Sequence, residues 1–310
     1  MSDIVISEFI DADALASLEK DFAVNFAPQL WQDSNGLCEA LSQARALIVR
    51  NRTQVTADLL DRGPNLKVIG RLGVGLDNID VAACRSRNIE VRPATGANTV
   101  SVAEYTIAAM LMLLRPAFFG SLDVIAGRWP REASIGNEAA GRTLGLIGFG
   151  AIAQAVAERA AVFAMTVLAY DPHLPQSDEA WHKAQSVEFS QILERSDIVS
   201  IHTPLTPETR GLMDVGAISK MRSGAILINS ARGGIVDEDA VISALKSGHL
   251  SGGALDVFDA EPISAQSGTR FADVPNLILT PHISGVTKQS NRRVGAQTAA
   301  NVRQVLLESL

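Results

Sequence analysis

The chain has 310 residues with 27 Lys+Arg against 34 Asp+Glu, and its formal charge of −7 is spread along the length. Without a basic run or stripe, it lacks the electrostatic footprint of a nucleic-acid binder. The length suits about two domains, 47% hydrophobic content provides a core for each, and the only two cysteines, Cys38 and Cys84, fit neither a metal site nor a disulfide framework.

Met1–Val5 has neither the basic region nor the apolar run of a signal peptide, and with unpaired cysteines this predicts a cytoplasmic protein. Ile4–Ile6, Ala46–Val49, Val68–Gly70 and Ile89–Val91 predict strands, separated by polar-faced helices such as Asp11–Lys20 and Thr56–Asp61. A long apolar helix follows, with Ala103, Ile107, Met110, Leu111 and Leu114 on one stripe, and Pro116 stops it. A second series of strands runs through Leu144–Ile147, Thr166–Tyr170, Ile198–Ile201, Ala225–Asn229, Gly253–Asp256 and Leu277–Leu279. Thr287–Leu307 closes the chain as a helix. Tyr105–Leu114 and Thr143–Ala157 fall short of the roughly 18 apolar residues of a membrane span. Alternation of this kind predicts an α/β protein of two doubly wound parallel-sheet lobes.

The strongest local signal is Gly148-Phe149-Gly150-Ala151-Ile152-Ala153, directly after a strand and before an Ala-rich helix. Gly148 permits the tight turn, Gly150 lets a pyrophosphate approach, and Ala153 allows close packing. The phosphates would meet helix N-terminal amides near Ala151 and Ile152. Asp171 ends the next strand at the spacing where an acid accepts from a ribose 2′-hydroxyl and repels a 2′-phosphate, which favours NAD over NADP.

Three ionisable residues follow three later strands: Arg232, Glu261 and His282. Arg offers a fork for a carboxylate, His exchanges a proton near neutrality, and a carboxylate can orient an imidazole. Singly, each has an ordinary alternative: a surface charge, a turn, a helix cap. Together the strand-end Ala231-Arg232-Gly233, the Asp256-Val257-Phe258-Asp259-Ala260-Glu261-Pro262 run and Thr280-Pro281-His282-Ile283-Ser284-Gly285 resemble the D-isomer-specific 2-hydroxyacid dehydrogenases, over essentially the whole chain.

That resemblance implies a Rossmann NAD-binding domain (98–285) inserted into a smaller flavodoxin-like substrate domain (1–97 plus 286–310), and a homodimer with an arm at Arg115–Gly141. Arg232 would hold the substrate, His282 would act as acid/base and Glu261 would be bonded to it. Asp256 would contact the nicotinamide carboxamide. Thr203, Pro204, Ser230, Ala231 and Gly285 would complete the cofactor site, and Asn98 would join the substrate residues. Leu72-Gly73-Val74-Gly75 forms a glycine-rich turn of the kind that takes a substrate carboxylate. Neither nucleic acid, membrane nor metal is expected as a partner. A non-enzymatic NAD sensor on the same fold is the alternative of another class, disfavoured by the intact Arg232, Glu261 and His282.

Val49-Arg50-Asn51-Arg52-Thr53 resembles the motif of phosphoglycerate dehydrogenases that holds the far anion of the substrate. Two arginines beyond a strand could grip such an anion, or simply be solvated. With Ser2–Glu8 and Gly96–Thr99, the overall likeness is greatest to (S)-3-sulfolactate dehydrogenases, whose (S) label describes a D-like carbon. The expected order of substrates is sulfolactate, then 3-phosphoglycerate, then hydroxypyruvate or glyoxylate.

Overall fold

The computed structural model describes residues 2–308. Two units divide the chain: one runs to Asn98 and resumes at Val286, and the other is Thr99–Gly285.

In the first unit β1 (Ile4–Ile6), β2 (Val24–Phe26), β3 (Ala46–Val49), β4 (Val68–Arg71) and β5 (Glu90–Pro93) form a parallel sheet in the order β2-β1-β3-β4-β5. This is the flavodoxin-like order. β1 and β3 are buried along their whole length, as continuous apolar runs in a covered parallel sheet must be. Asp11, Asp33, Thr56 and Asp80 each accept a first-turn amide and so fix where the intervening helices start. The last helix, Lys288–Glu308, returns to pack Val294, Val302 and Leu306 against Ile4, Ile48 and Val68. β2 has no counterpart among the predicted strands. It is a three-residue edge strand, incompletely buried and interrupted by Asn25, and carries too little apolar pattern to be read.

In the second unit β6 (Thr143–Ile147), β7 (Thr166–Tyr170), β8 (Gln185–Ser186), β9 (Ile198–Ile201), β10 (Ala225–Asn229), β11 (Leu250–Leu255) and β12 (Leu277–Leu279) form a parallel sheet. Its order is β12-β11-β10-β9-β6-β7-β8, the doubly wound Rossmann arrangement. β6 lies between β7 and β9, so the strand order reverses there, and ligands of such sheets bind beyond the carboxyl ends at that point. The helix Thr99–Leu114 covers one face, burying Ala103, Ile107 and Met110 with Leu144 and Val156. Ile192, Ile218 and Val241 cover the other. β11 begins three residues before the predicted strand and stops at Leu255, so Asp256 leaves the sheet. No helix among the described residues is long and apolar enough to cross a membrane.

Candidate active site

The turn after β6 is shaped for close approach. Gly148 has φ +84°, and a Cβ there would meet the His202 carbonyl oxygen at 2.8 Å. The helix Ala151–Val162 starts without a side-chain cap, which leaves its first amides to an anion. A Cβ on Gly150 would meet nothing within 4 Å, so the space in front of those amides is open. Asp171, just past β7, accepts the Phe149 amide at 2.8 Å with one oxygen and the His173 amide at 2.9 Å with the other. The acid therefore also ties down the glycine turn. Beyond β10, the buried Ser230 hydroxyl has no hydrogen-bond partner among the described residues. Open space, uncapped amides, a strand-end carboxylate and an orphaned hydroxyl together fit a dinucleotide.

His202 leads Thr203 and Pro204 out of β9. Its Nε2 lies 2.9 Å from the Ser200 hydroxyl, and burial pushes its pKa down to about 4. It is a neutral structural imidazole at the wall of the glycine turn.

Glu261 and His282 meet on neighbouring loops. His282 Nδ1 is 2.7 Å from Glu261 Oε2, and Glu261 Oε1 accepts the Phe258 amide at 2.9 Å. Burial pushes the Glu261 carboxyl up, but the hydrogen bonds from His282 and Phe258 and the charges of His282 and Arg232 outweigh it. The carboxyl is held below its ordinary range. An ionised Glu261 fixes the Nδ1–H tautomer and leaves Nε2 for the reacting group. Arg232 follows β10, and its guanidinium donates to the Ala231 carbonyl at 2.6 Å. The adjoining Gly233 allows this turn to press on the Glu261 loop, since a Cβ there would collide with the Phe258 carbonyl. Three consecutive strands thus deliver the three ionisable residues to one end of the sheet.

Asp256 already holds three donors from its own unit. It is fully buried. Oδ1 accepts from the Ile283 amide at 2.8 Å and the Thr280 hydroxyl at 2.6 Å, and Oδ2 accepts from the Ser284 amide at 2.9 Å. Asp256 thereby grips the segment that carries His282, whose φ of +52° is set in that turn. Because the Thr280 hydroxyl donates to Asp256, the Tyr105 hydroxyl donates to Thr280, at 2.6 Å. Burial raises the Tyr105 pKa and keeps that donor protonated. Neither Tyr105 nor Thr280 was legible as a site residue, because the link spans 175 positions.

In the first unit the residues of the glycine-rich turn differ in how far their backbone is already hydrogen-bonded. Leu72 is buried, its amide bonds to the Val49 carbonyl and its own carbonyl accepts from Arg71. Gly73 is likewise engaged, its amide with Arg71 and its carbonyl with Ala94. Only the amides of Val74 and Gly75 make no hydrogen bond among the described residues. Asn98 presents a buried Oδ1 that accepts no hydrogen bond there. Arg50 donates to Asn291 Oδ1 at 2.8 Å, while the Arg52 guanidinium lies 4.6 Å from the centroid of the Trp31 ring. The two side chains have separate supports rather than a common partner. Burial lowers the Arg50 pKa against the opposing charge of Glu8.

His173 and His182 are exposed, whereas His249 is half-buried with its Nε2 3.0 Å from the Ile218 carbonyl. No group of metal-binding side chains occurs among the described residues.

Residues 107–284 match the family profile "D-isomer specific 2-hydroxyacid dehydrogenase, NAD binding domain". The chain belongs to the D-isomer specific 2-hydroxyacid dehydrogenase family, as an NAD-dependent oxidoreductase whose second unit is the NAD-binding domain. It is 50% identical to an (S)-sulfolactate dehydrogenase of Chromohalobacter salexigens, over 99% of each chain. It is 39% identical to a D-3-phosphoglycerate dehydrogenase of Bacillus subtilis over 97% of its own length, but spans only 56% of that protein. Among solved structures, TT0316 of Thermus thermophilus superposes with a TM-score of 0.89 at 34% identity, over 98% of this chain and 97% of the other.

Proposed function

We propose that the chain oxidises a D-configured 2-hydroxy acid bearing a strong anion on C3, with (S)-3-sulfolactate, giving 3-sulfopyruvate, as the first candidate. The observation that carries the chemistry is the 2.7 Å pairing of His282 with Glu261. The Arg50–Arg52 loop and the 50% identity to the Chromohalobacter enzyme support the substrate. D-3-phosphoglycerate is the second candidate, supported by the 39% identity to the Bacillus enzyme.

NAD, when bound, accepts the C2 hydride in oxidation and its reduced form returns it in reduction. His282 Nε2 takes the C2 hydroxyl proton as the C2–H bond breaks, and gives it back to the oxo oxygen in the reverse direction. Glu261 balances the imidazolium charge and holds the ring. Arg232 fits the carboxylate and C2 oxygen as a planar donor. The Val74 and Gly75 amides are suited to the carboxylate, and Arg50 and Arg52 to the sulfonate. On the dinucleotide, the amides of Ala151 and Ile152 suit the pyrophosphate and Asp171 the adenosine ribose.

NADH formation from (S)-3-sulfolactate, D-3-phosphoglycerate and D-glycerate tests this in wild type and Arg52→Ala. One anionic substrate should lead by orders of magnitude and lose that lead in Arg52→Ala. Equal use of D-glycerate, unaffected by Arg52→Ala, would overturn the substrate reading and leave the family intact.

The chain is also proposed to act as a cytoplasmic homodimer. The 115–141 segment exposes Phe118, Leu122, Ile125, Trp129 and Ile135, with Ile125 80% accessible, an apolar surface of the kind that marks an interface. Light scattering should give twice the chain mass, and Ile125→Asp should shift it toward one.

A further inference from the structure

Glu8 lies two residues beyond β1 and is buried. Its carboxylate accepts from four successive backbone amides: Arg50 at 2.8 Å, Asn51 at 3.2 Å, Arg52 at 3.1 Å and Thr53 at 3.0 Å. The carbonyls of the same loop are held from the other side, where the Asn78 side chain donates to Arg50 at 3.3 Å and to Thr53 at 2.7 Å. The hydroxyls of Ser7 and Thr53 lie 2.8 Å apart. Successive amides turned to one point are the device with which a backbone binds an external anion. Here the chain's own carboxylate fills that position. An external anion must therefore be met by the arginine side chains, above a buried negative charge.

We propose that Glu8 is a positioning and specificity-determining residue: it fixes the loop that carries Arg50 and Arg52, and with those two cations leaves a single net positive charge for the far end of the substrate. This rests on the role proposed for Arg50 and Arg52. A sulfonate carries one charge at neutral pH, whereas a phosphate monoester, with a second pKa near 6, carries closer to two. A receptor with one net positive charge suits the former. The Glu8 carboxylate is spent on the amides of this loop, so its effect falls on binding rather than on the chemical step.

The test compares kcat and KM for (S)-3-sulfolactate and D-3-phosphoglycerate in wild type, Glu8→Gln, Glu8→Asp and Arg52→Ala. Inhibition constants replace turnover where turnover is too slow to follow. Glu8→Gln should raise KM for sulfolactate about tenfold while kcat stays within about twofold. It should also shift the phosphoglycerate-to-sulfolactate ratio of kcat/KM about tenfold toward phosphoglycerate, because one negative charge has gone. Glu8→Asp, which keeps the charge, should restore the ratio. An equal loss for both substrates, an unchanged ratio, or failure of both Glu8 variants to fold would overturn the proposal and reduce Glu8 to a fold residue. If Arg52→Ala behaves as wild type, the anion-receptor reading falls and takes this proposal with it. If Arg52→Ala loses sulfolactate and Glu8→Gln does not, only the present inference falls.

Discussion

Glu261 and His282 come from different loops, 21 positions apart, yet share a 2.7 Å hydrogen bond, and the second oxygen of Glu261 is already committed to the Phe258 amide. The carboxylate therefore has one orientation, and so has the imidazole. His282→Ala should lower kcat/KM by about 10²–10⁴-fold, the usual worth of a general acid/base. The NADH dissociation constant, followed by fluorescence, should stay near wild type. Glu261→Gln should cost less, because the ring keeps its Nε2 and loses only its charged partner. Loss of NADH binding in His282→Ala would instead assign the residue to the cofactor.

Asp256 gathers three donors from the strand end and turn that carry His282. Asp256→Ala leaves the Ile283 and Ser284 amides and the Thr280 hydroxyl without an acceptor, at about 1–3 kcal/mol for each group left unpaired. Denaturant unfolding should register that loss, and kcat should fall with it because His282 loses its fixed turn. Tyr105→Phe, one link further out, removes a single hydrogen bond worth about 0.5–1.5 kcal/mol and should leave KM for NAD unchanged. A kcat unaffected in Asp256→Ala would detach this network from catalysis.

Much of this arrangement was legible because the parallel strands write themselves as short, wholly apolar runs. β7, β9, β10 and β12 begin and end where their β-branched stretches do. The two strands missed, β2 and β8, are edge strands of three and two residues. They are held by neighbours rather than by their own pattern. Arg232, Glu261 and His282 were visible as strand-end residues in motifs, but their convergence needs the sheet order. Glu8 shows the same limit. Its run was noticed, yet its purpose depends on β1 and β3 pairing in parallel, with Ile6 beside Ile48, which brings the residues after one strand to the residues after the other. Leu72 and Asp256 show a further limit: a motif names a residue type but not the hydrogen bonds its atoms have already made.

Asp171 both anchors Phe149 and presents a carboxylate where a ribose hydroxyl is expected. Asp171→Ala should raise KM for NAD and relieve the repulsion of a 2′-phosphate. The NADP-to-NAD ratio of kcat/KM should rise by about 10²-fold, since an unfavourable charge contact costs several kcal/mol. Asp171→Asn keeps an acceptor for the Phe149 amide, and should raise the ratio while preserving more of the activity with NAD. A ratio unchanged in both variants would place the ribose elsewhere.

His202 gives the fold an acid sensitivity separate from catalysis. In the unfolded chain a histidine takes up its proton near pH 6.5, whereas folded His202, desolvated at the wall of the glycine turn, does so only at about 4. Between these values the unfolded state binds more protons, so stability rises with pH across the window and is lost as the pH falls from 6.5 toward 4. The full difference is on the order of 3 kcal/mol, levelling off below the folded value. His202→Asn removes this share. Denaturant unfolding of wild type and variant near pH 7 and about pH 4.5 should show a loss on acidification smaller by about 2–3 kcal/mol in the variant. Equal losses in the two proteins would trace the acid sensitivity to other groups, Glu261 first among them, because a carboxyl held below its ordinary range also gives up its stabilisation as the pH falls.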